Sequence, residues 1–376
     1  RGTQVRALLE RGQRQTKILL YDMENLENVK TQGQREKNAT WFFSDILKLG
    51  QPKTNVEAIG TLLHPESLLA QLLTNPGFQG RTYRAVLRFA DESAVPLWQQ
   101  WRTLFINLDN PHHQADACAF FEAHTAAMLQ GTEVLWPERE SYYDLMVMRL
   151  VEGESAFWLE KQNEPRRDTR YLFDMEAAAY CTVTPTGVLR ADGRFVYVQD
   201  IDEVAAFWDP TPDKQDVQGT DYAACAVVLR DRQGYCYAVD AYLAQERSTT
   251  RQIEGIVDLL WRWQVSVVGI EGNGFQSLLT SDLRAAIAQR GQEAGVPWQV
   301  DLWPVTNLQN KILRIRSLEP LVANGWLQFV PTLPAEALRQ MREFLPIANA
   351  GKDDFPDSLE GAIRVVKRLL GARSAA

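Results

Sequence analysis

Apolar positions change their spacing along this chain, and the change divides it. Lys17–Tyr21 is an apolar run that closes in the acidic cluster Asp22-Met23-Glu24-Asn25. Helical spacing follows around Glu36–Leu49, and Asn55–Leu63 predicts a buried strand ending at Gly60-Thr61. Arg84–Phe89 predicts another strand. From Val95 the spacing is helical again, through Trp98, Trp101, Leu104 and Phe105, then over Ala115–Leu129 and the aromatic-rich Tyr142–Gln162. The polar stretch Gln162–Asp168 holds the helix-stopping Pro165, and Val188–Val198 predicts a hairpin around Ala191-Asp192-Gly193. These signals predict a mixed α/β domain over 1–165, a linker and hairpin over 166–200, and a second domain over 201–376.

The second domain has the clearer pattern. Val204–Trp208 is an apolar strand running into Asp209, and Tyr222–Leu229 and Tyr235–Tyr242 are β-type runs joined by a turn ending in Gly234. Ser248–Trp263 predicts a helix that Ser248 or Thr249 can cap, with an apolar stripe of Ile253, Ile256, Val257, Leu260 and Trp261. Val265–Ile270 is a continuous apolar strand ending in Glu271; Gly272-Asn273-Gly274 and a further helix follow. Trp298–Val305 predicts a fifth strand, Lys311–Asn324 a helix stopped by Gly325, and Asp357–Leu370 the last helix. Three meandering strands and then alternating helices and strands is the order of an RNase H-type mixed sheet with flanking helices.

Composition narrows the chemistry. Hydrophobic residues at 45% with 23% charged exclude a largely disordered chain of these 376 residues. No eighteen successive apolar residues occur, so the sequence predicts no membrane span, and no export signal follows Arg1. Cys118, Cys181, Cys225 and Cys236 lack C-x-x-C spacing and read as buried free thiols in a reducing compartment. His64, His112, His113 and His124 cannot assemble a familiar zinc motif. The net charge of −8 speaks against a protein that coats nucleic acid while leaving room for a local basic groove. Carboxylate chemistry remains.

The informative acids sit at the ends of elements. Asp209 closes the first strand of the second domain, Glu271 closes the fourth, and Asp353, Asp354 and Asp357 stand at the start of the final helix. With strands one and four adjacent, the first two point into one crevice, and a helix across the sheet brings the third. Clustered carboxylates need neutralisation, which Mg²⁺ or Mn²⁺ supplies, and two such ions support phosphodiester cleavage without histidine or cysteine. An acid at a strand end is ordinarily a solvated turn residue, and Asp354 or Asp357 could simply cap the helix. Three of them in RNase H order outweigh that reading for Asp209, Glu271 and the Asp353-Asp354 pair. Asp221 is a weaker candidate, and Asp240 reads as an ordinary strand residue.

Several segments then resemble a known family. Phe207-Trp208-Asp209-Pro210, Gly219-Thr220-Asp221-Tyr222-Ala223-Ala224, Gly269-Ile270-Glu271-Gly272-Asn273 and Lys352-Asp353-Asp354-Phe355-Pro356-Asp357-Ser358-Leu359 look like the nuclease motifs of tailed-phage terminase large subunits. Such proteins join a packaging ATPase to an RNase H-like nuclease that cuts concatemeric viral DNA. The resemblance implies metal ligation by Asp209, Glu271 and Asp354, with Asp353 or Asp357 assisting. Lys352 takes the place of the family's usual histidine. Asn307–Phe329, with Lys311 and Arg314, is similar to a basic helix and strand of that nuclease, which makes those two side chains candidates for DNA contact.

Upstream, Thr16–Asn28 is similar to the strand and acids that hold Mg²⁺ in the packaging motor, with Tyr21 in the first acidic place and Asp22 and Glu24 retained. Ala58-Ile59-Gly60-Thr61 resembles the coupling motif after the next strand, and Glu154–Pro165 matches a segment near that domain's end. The resemblance thus implies a partial P-loop ATPase-type α/β domain, with Asp22, Glu24 and Thr61 as remnants of its ATP site. No G-x-x-x-x-G-K-[ST] loop occurs, so the chain is expected to be truncated before Arg1 and not to hydrolyse ATP, which only the full-length protein would use. Implied partners are double-stranded DNA, a portal protein and a small terminase subunit, in the cytoplasm of a bacterial host.

Other basic residues, Arg316, Arg364, Lys367, Arg368 and Arg373, can neutralise phosphates, although a basic helix is more often a solvated face. Trp98, Trp101, Trp158, Trp261 and Trp263 fit core spacing better than stacking platforms. Two other functions stay open: a junction resolvase or transposase on the same fold, and a non-catalytic remnant that docks a portal or small-subunit partner.

Overall fold

The apolar run before Asp22 forms β1 (Gln15–Tyr21), which pairs in parallel with β2 (Gly50–Ile59), Leu20 opposite Ala58 and Tyr21 opposite Ile59. Between them α1 (Gln32–Trp41) starts at Thr31, whose hydroxyl and backbone form a capping box with Gln34, so the helix opens four residues before the expected Glu36. Ser67 caps α2 (Leu68–Thr74), and Ile18, Phe42, Ile46, Leu49, Leu68 and Leu72 make one apolar cluster. After β3 (Val86–Arg88) come α3 (Val95–Phe105) and α4 (His113–Met128), then β4 (Glu133–Val134), α5 (Tyr142–Glu152) and the short α6 (Glu154–Ala156). This computed structural model describes residues 15–165, 171–210, 222–246, 248–272, 276–307, 310–346 and 351–374. The chain divides into two compact units, Arg1–Val95 with Ala126–Thr169, and Pro96–Thr125 with Arg170–Ala376.

Residues 96–125 therefore pack with the second unit, although their continuous helical pattern places them upstream in the sequence reading. Specific anchors account for the difference. Arg102 donates to the carbonyl of Ala323 (2.7 Å) and to Asn324 (3.0 Å), the Trp326 indole donates to the carbonyl of Ile106 (2.8 Å), and Asp109 accepts two hydrogen bonds from the buried Arg190 (2.7 and 2.8 Å). The hairpin expected near 188–198 gains a third strand: β5 (Thr182–Thr184), β6 (Gly187–Leu189) and β7 (Phe195–Tyr197) run antiparallel in that order. The Cys181 amide donates to the Phe329 carbonyl (2.9 Å), so this segment is bonded into the second unit.

The main sheet is built on β8 (Ile201–Asp209), β9 (Ala223–Asp231) and β10 (Cys236–Ala244), an antiparallel meander. Helix α7 (Thr249–Arg262), capped by Ser248, leads to β11 (Val267–Glu271), which lies parallel to β8 on its free side. Helix α8 (Gln276–Glu293) leads to β12 (Asp301–Val305), parallel to β11. The single helix expected over 311–324 is two, α9 (Lys311–Arg316) and α10 (Glu319–Ala323), with Pro320 near the start of the second. Gly325 follows at φ +68°, a left-handed turn, and β13 (Leu327–Phe329) adds a sixth strand beside β10. The order is β12-β11-β8-β9-β10-β13. These directions and that order are the RNase H-like fold.

Helices α11 (Ala335–Arg342) and α12 (Asp354–Ser374) complete the unit, and α12 packs across β8 and β9. Its approach is close: a Cβ on Gly361 would fall 2.3 Å from the Phe207 ring, and one on Gly269 of β11 would fall 2.7 Å from Val365 of the helix. Ser358 fixes the register. Its hydroxyl donates to the carbonyl of Phe207 (2.7 Å) and accepts from the amide of Ala226 (2.8 Å), two residues paired across β8 and β9. Phe207, Trp208, Tyr237, Ile256, Leu260, Phe329 and Phe355 are fully buried in this core. No helix among the described residues is long and apolar enough to cross a membrane.

Candidate metal centre

Asp209 is the last residue of β8 and Glu271 the last of β11, and because Trp208 pairs with Ile270 these carboxylates leave adjacent strands side by side. Asp357 arrives from the first turn of α12, one residue before the Ser358 anchor. Oxygens of these three side chains lie within 4.8 Å of one another. The sequence reading gave the third position to Asp354 and a supporting one to Asp357; the structure groups Asp357 with the strand-end acids. The helix begins at Asp354, and Ser358 wedged between β8 and β9 sets its immediate neighbour at the strand ends. Asp354 itself is buried, and Asp353 takes an ion pair from Lys311 (2.8 Å).

Basic residues line the same cluster from below. Lys311 also reaches Asp357 at 3.4 Å. Arg314, 5% exposed, holds Asp357 at 2.7 Å and Glu360 at 3.3 Å and stands 4.0 Å from Glu271. Arg314, for which the sequence predicts a DNA contact, is buried, and the helix face it shares with Lys311 is turned toward acids. On the far side, Asn307 donates to Glu271 (2.5 Å), and Arg364 donates to Asn307 (2.8 Å) and pairs with Glu360 (3.3 Å).

Electrostatics follow from that crowding. Burial, and then the negative charge of Glu271, hold the Asp209 carboxyl well above the ordinary carboxylate range. Glu271 is also desolvated, but hydrogen bonds from Asp209 and the Asn307 amide and the charges of Arg314 and Lys311 bring it below its usual value. Burial raises Asp357 against the pull of Lys311 and Arg314. For Lys311, burial works downward, and Asp357, Asp353 and Asp209 reverse it and raise its pKa. The three clustered acids, Asp209, Glu271 and Asp357, outnumber the two bases that reach them, Lys311 and Arg314. Three hard oxygen donors in a charge-deficient cluster, spread about as widely as ligands around one small divalent ion or a close pair, fit such a cation.

In the first unit, Glu24 is buried and its two oxygens accept hydrogen bonds from the amides of Leu68 (2.8 Å) and Leu69 (3.0 Å), closing the start of α2. Asp22 is exposed, adopts φ +45°, and lies beside Gly60, the neighbour of Thr61 in the loop after β2. Asp221, and the Gly219-Thr220 before it, lie outside the described residues, as does Asn273. Asn307, Ser358 and Glu360 carry no individual role in the sequence expectation, and Arg364 figures there only among charges able to neutralise phosphate. The signal existed: Asp357, Glu360 and Arg364 recur at helical spacing on one face of α12, with Asp353 just before its first residue.

No protein-family model matches this chain, and no curated protein matches it. Among solved structures, the chain is similar to the human cytomegalovirus terminase nuclease domain, at 13% identity over 45% of this chain and 86% of that one, with a TM-score of 0.36. It is also similar to the large terminase nuclease from thermophilic phage G20c, at 14% identity over 52% and 98%, TM-score 0.31. A third is T. thermophilus RuvC in complex with a Holliday junction substrate, at 16% identity over 44% and 96%, TM-score 0.23.

Proposed function

We propose that the second unit is a nuclease dependent on Mg²⁺ or Mn²⁺ that cuts double-stranded DNA, and that the chain is part of a phage packaging terminase large subunit. The first unit is then the acid-bearing part of its ATPase, and portal and small-subunit proteins are its partners. One observation carries the nuclease reading: carboxylates from β8, β11 and α12 converge within 4.8 Å, in a cluster short of positive charge. A divalent cation bound there would neutralise the acids and supply the charge that activates water and stabilises the leaving oxygen of a phosphodiester. Asp209, Glu271 and Asp357 would hold it. Arg314 braces Asp357 from beneath, and Lys311 balances Asp353 and Asp357.

The test is Asp209→Asn. Loss of partners that merely orient a ligand costs roughly 10- to 100-fold, so loss of a ligand itself is expected to lower plasmid cleavage in Mn²⁺ by at least about 100-fold. Undiminished cutting by the cleanly purified variant overturns the assignment.

A further inference from the structure

Arg364 reads in the sequence as one of several charges able to meet a DNA phosphate. The structure gives it other work. It is half-buried, its guanidinium lies 5.9 Å from the centre of the Phe207 ring, and it reaches both Glu360 (3.3 Å) and the Asn307 side-chain oxygen (2.8 Å). The Asn307 amide, oriented by that bond, donates to Glu271 Oε1 at 2.5 Å. Glu360 in turn pairs with Arg314, which holds Asp357. A chain of hydrogen bonds and ion pairs thus runs from Glu271 through Asn307, Arg364, Glu360 and Arg314 to Asp357.

An amide can present either its oxygen or its nitrogen to a neighbour. A donor on its oxygen leaves the nitrogen for Glu271, so Arg364 decides which way Asn307 faces. A planar guanidinium can lie against a ring and serve two acceptors at once, a combination that suits arginine. We propose that Arg364 is a positioning residue, which through Asn307 fixes the Glu271 carboxylate for the divalent cation and through Glu360 and Arg314 steadies Asp357. The inference rests on the metal-centre reading of the proposed function.

Titrating the full 376-residue chain with MnCl₂ by calorimetry, alongside the electron paramagnetic resonance signal of bound Mn²⁺, separates the two. If the parent chain binds no Mn²⁺, the metal-centre reading itself falls, and this inference with it. If it binds, Arg364→Met and the similarly sized, uncharged Asn307→Leu are expected to weaken Mn²⁺ affinity about 10- to 100-fold and alter the resonance signal, with KM for DNA unchanged and kcat reduced. Arg364→Lys, which keeps a charged donor, recovers part of the affinity. Thermal melts confirm that each variant is folded. Variants with parental Mn²⁺ affinity and a shallower salt dependence of DNA binding would make Arg364 a phosphate contact and overturn the proposal, as would a lowered melting temperature with metal affinity untouched.

Discussion

Gly361→Ala tests how closely α12 must lie on the sheet. In an ordinary helix interior the change stabilises by about 1 kcal/mol, because glycine has the greater freedom to lose. Here the added Cβ would lie 2.3 Å from Cγ and 2.4 Å from Cδ1 of Phe207, a fully buried ring. Carbon atoms pack at about 3.5 Å or more, so the helix or the ring must yield by roughly 1.2 Å. Overpacking of this kind costs about 1–3 kcal/mol. A shift of α12 also stretches both Ser358 hydrogen bonds, and each buried backbone group left without its partner adds about 1–3 kcal/mol. The net expectation is destabilisation of about 1–4 kcal/mol, opposite in sign to helix propensity alone. Hydrogen-exchange mass spectrometry across urea, on peptides covering β8, β9 and α12, reads this unit separately from the other. Asp357 moves with the helix, so Mn²⁺ affinity falls as well. Phe207→Leu, which removes the ring from beneath the new methyl, shows a favourable coupling with Gly361→Ala in a double-mutant cycle. A Gly361→Ala variant about 1 kcal/mol more stable than the parent, with unchanged Mn²⁺ affinity, refutes the close-approach argument.

Two further outcomes follow from buried groups. Glu24→Gln removes the charge that two α2 amides share and turns a donor toward one of them, so hydrogen exchange at Leu68 and Leu69 is expected to report a loss of about 1–3 kcal/mol, with the second unit unaffected. Burial pushes the Cys181 and Cys236 thiols from their ordinary 9.0 up to about 12, and Cys225 higher still, so a disulfide reagent at pH 8 is expected to label only the half-exposed Cys118 in the native chain and all four cysteines in denaturant. Because the unfolded chain releases these protons first, their contribution to stability is intact below about pH 9 and drains away as pH rises toward 12. Rapid native labelling of Cys225 would contradict its burial.

Much of this architecture is legible before folding because its signals are local. Val267–Ile270 is a continuous apolar run that ends in an acid, and a strand buried on both faces needs such a run. Gly325 stops a helix because the chain turns left-handed there. Legibility fails where a long-range partner decides. Nothing local in 96–125 announces that Arg102 will bond Ala323 and Asn324, or that Asp109 will meet Arg190. Lys311 and Arg314 show their shared face plainly, but whether it meets phosphate or carboxylate depends on α12, more than forty residues away.

The third acid illustrates the same limit at finer scale. Asp353, Asp354 and Asp357 are equivalent in charge and nearly so in sequence position; a turn of helix separates their choices. What distinguishes Asp357 is the next residue. The buried Ser358 hydroxyl donates to the Phe207 carbonyl of β8 and accepts from the Ala226 amide of β9, and those two bonds set the rotation of α12. With the rotation set, Asp357 meets the ends of β8 and β11. Exchanging the acid alone cannot move the site to Asp354, since Asn at 357 leaves Ser358 in place. Which acid stands beside Asp209 and Glu271 is therefore controlled from the sheet, through one hydroxyl, and not by the acidic motif itself.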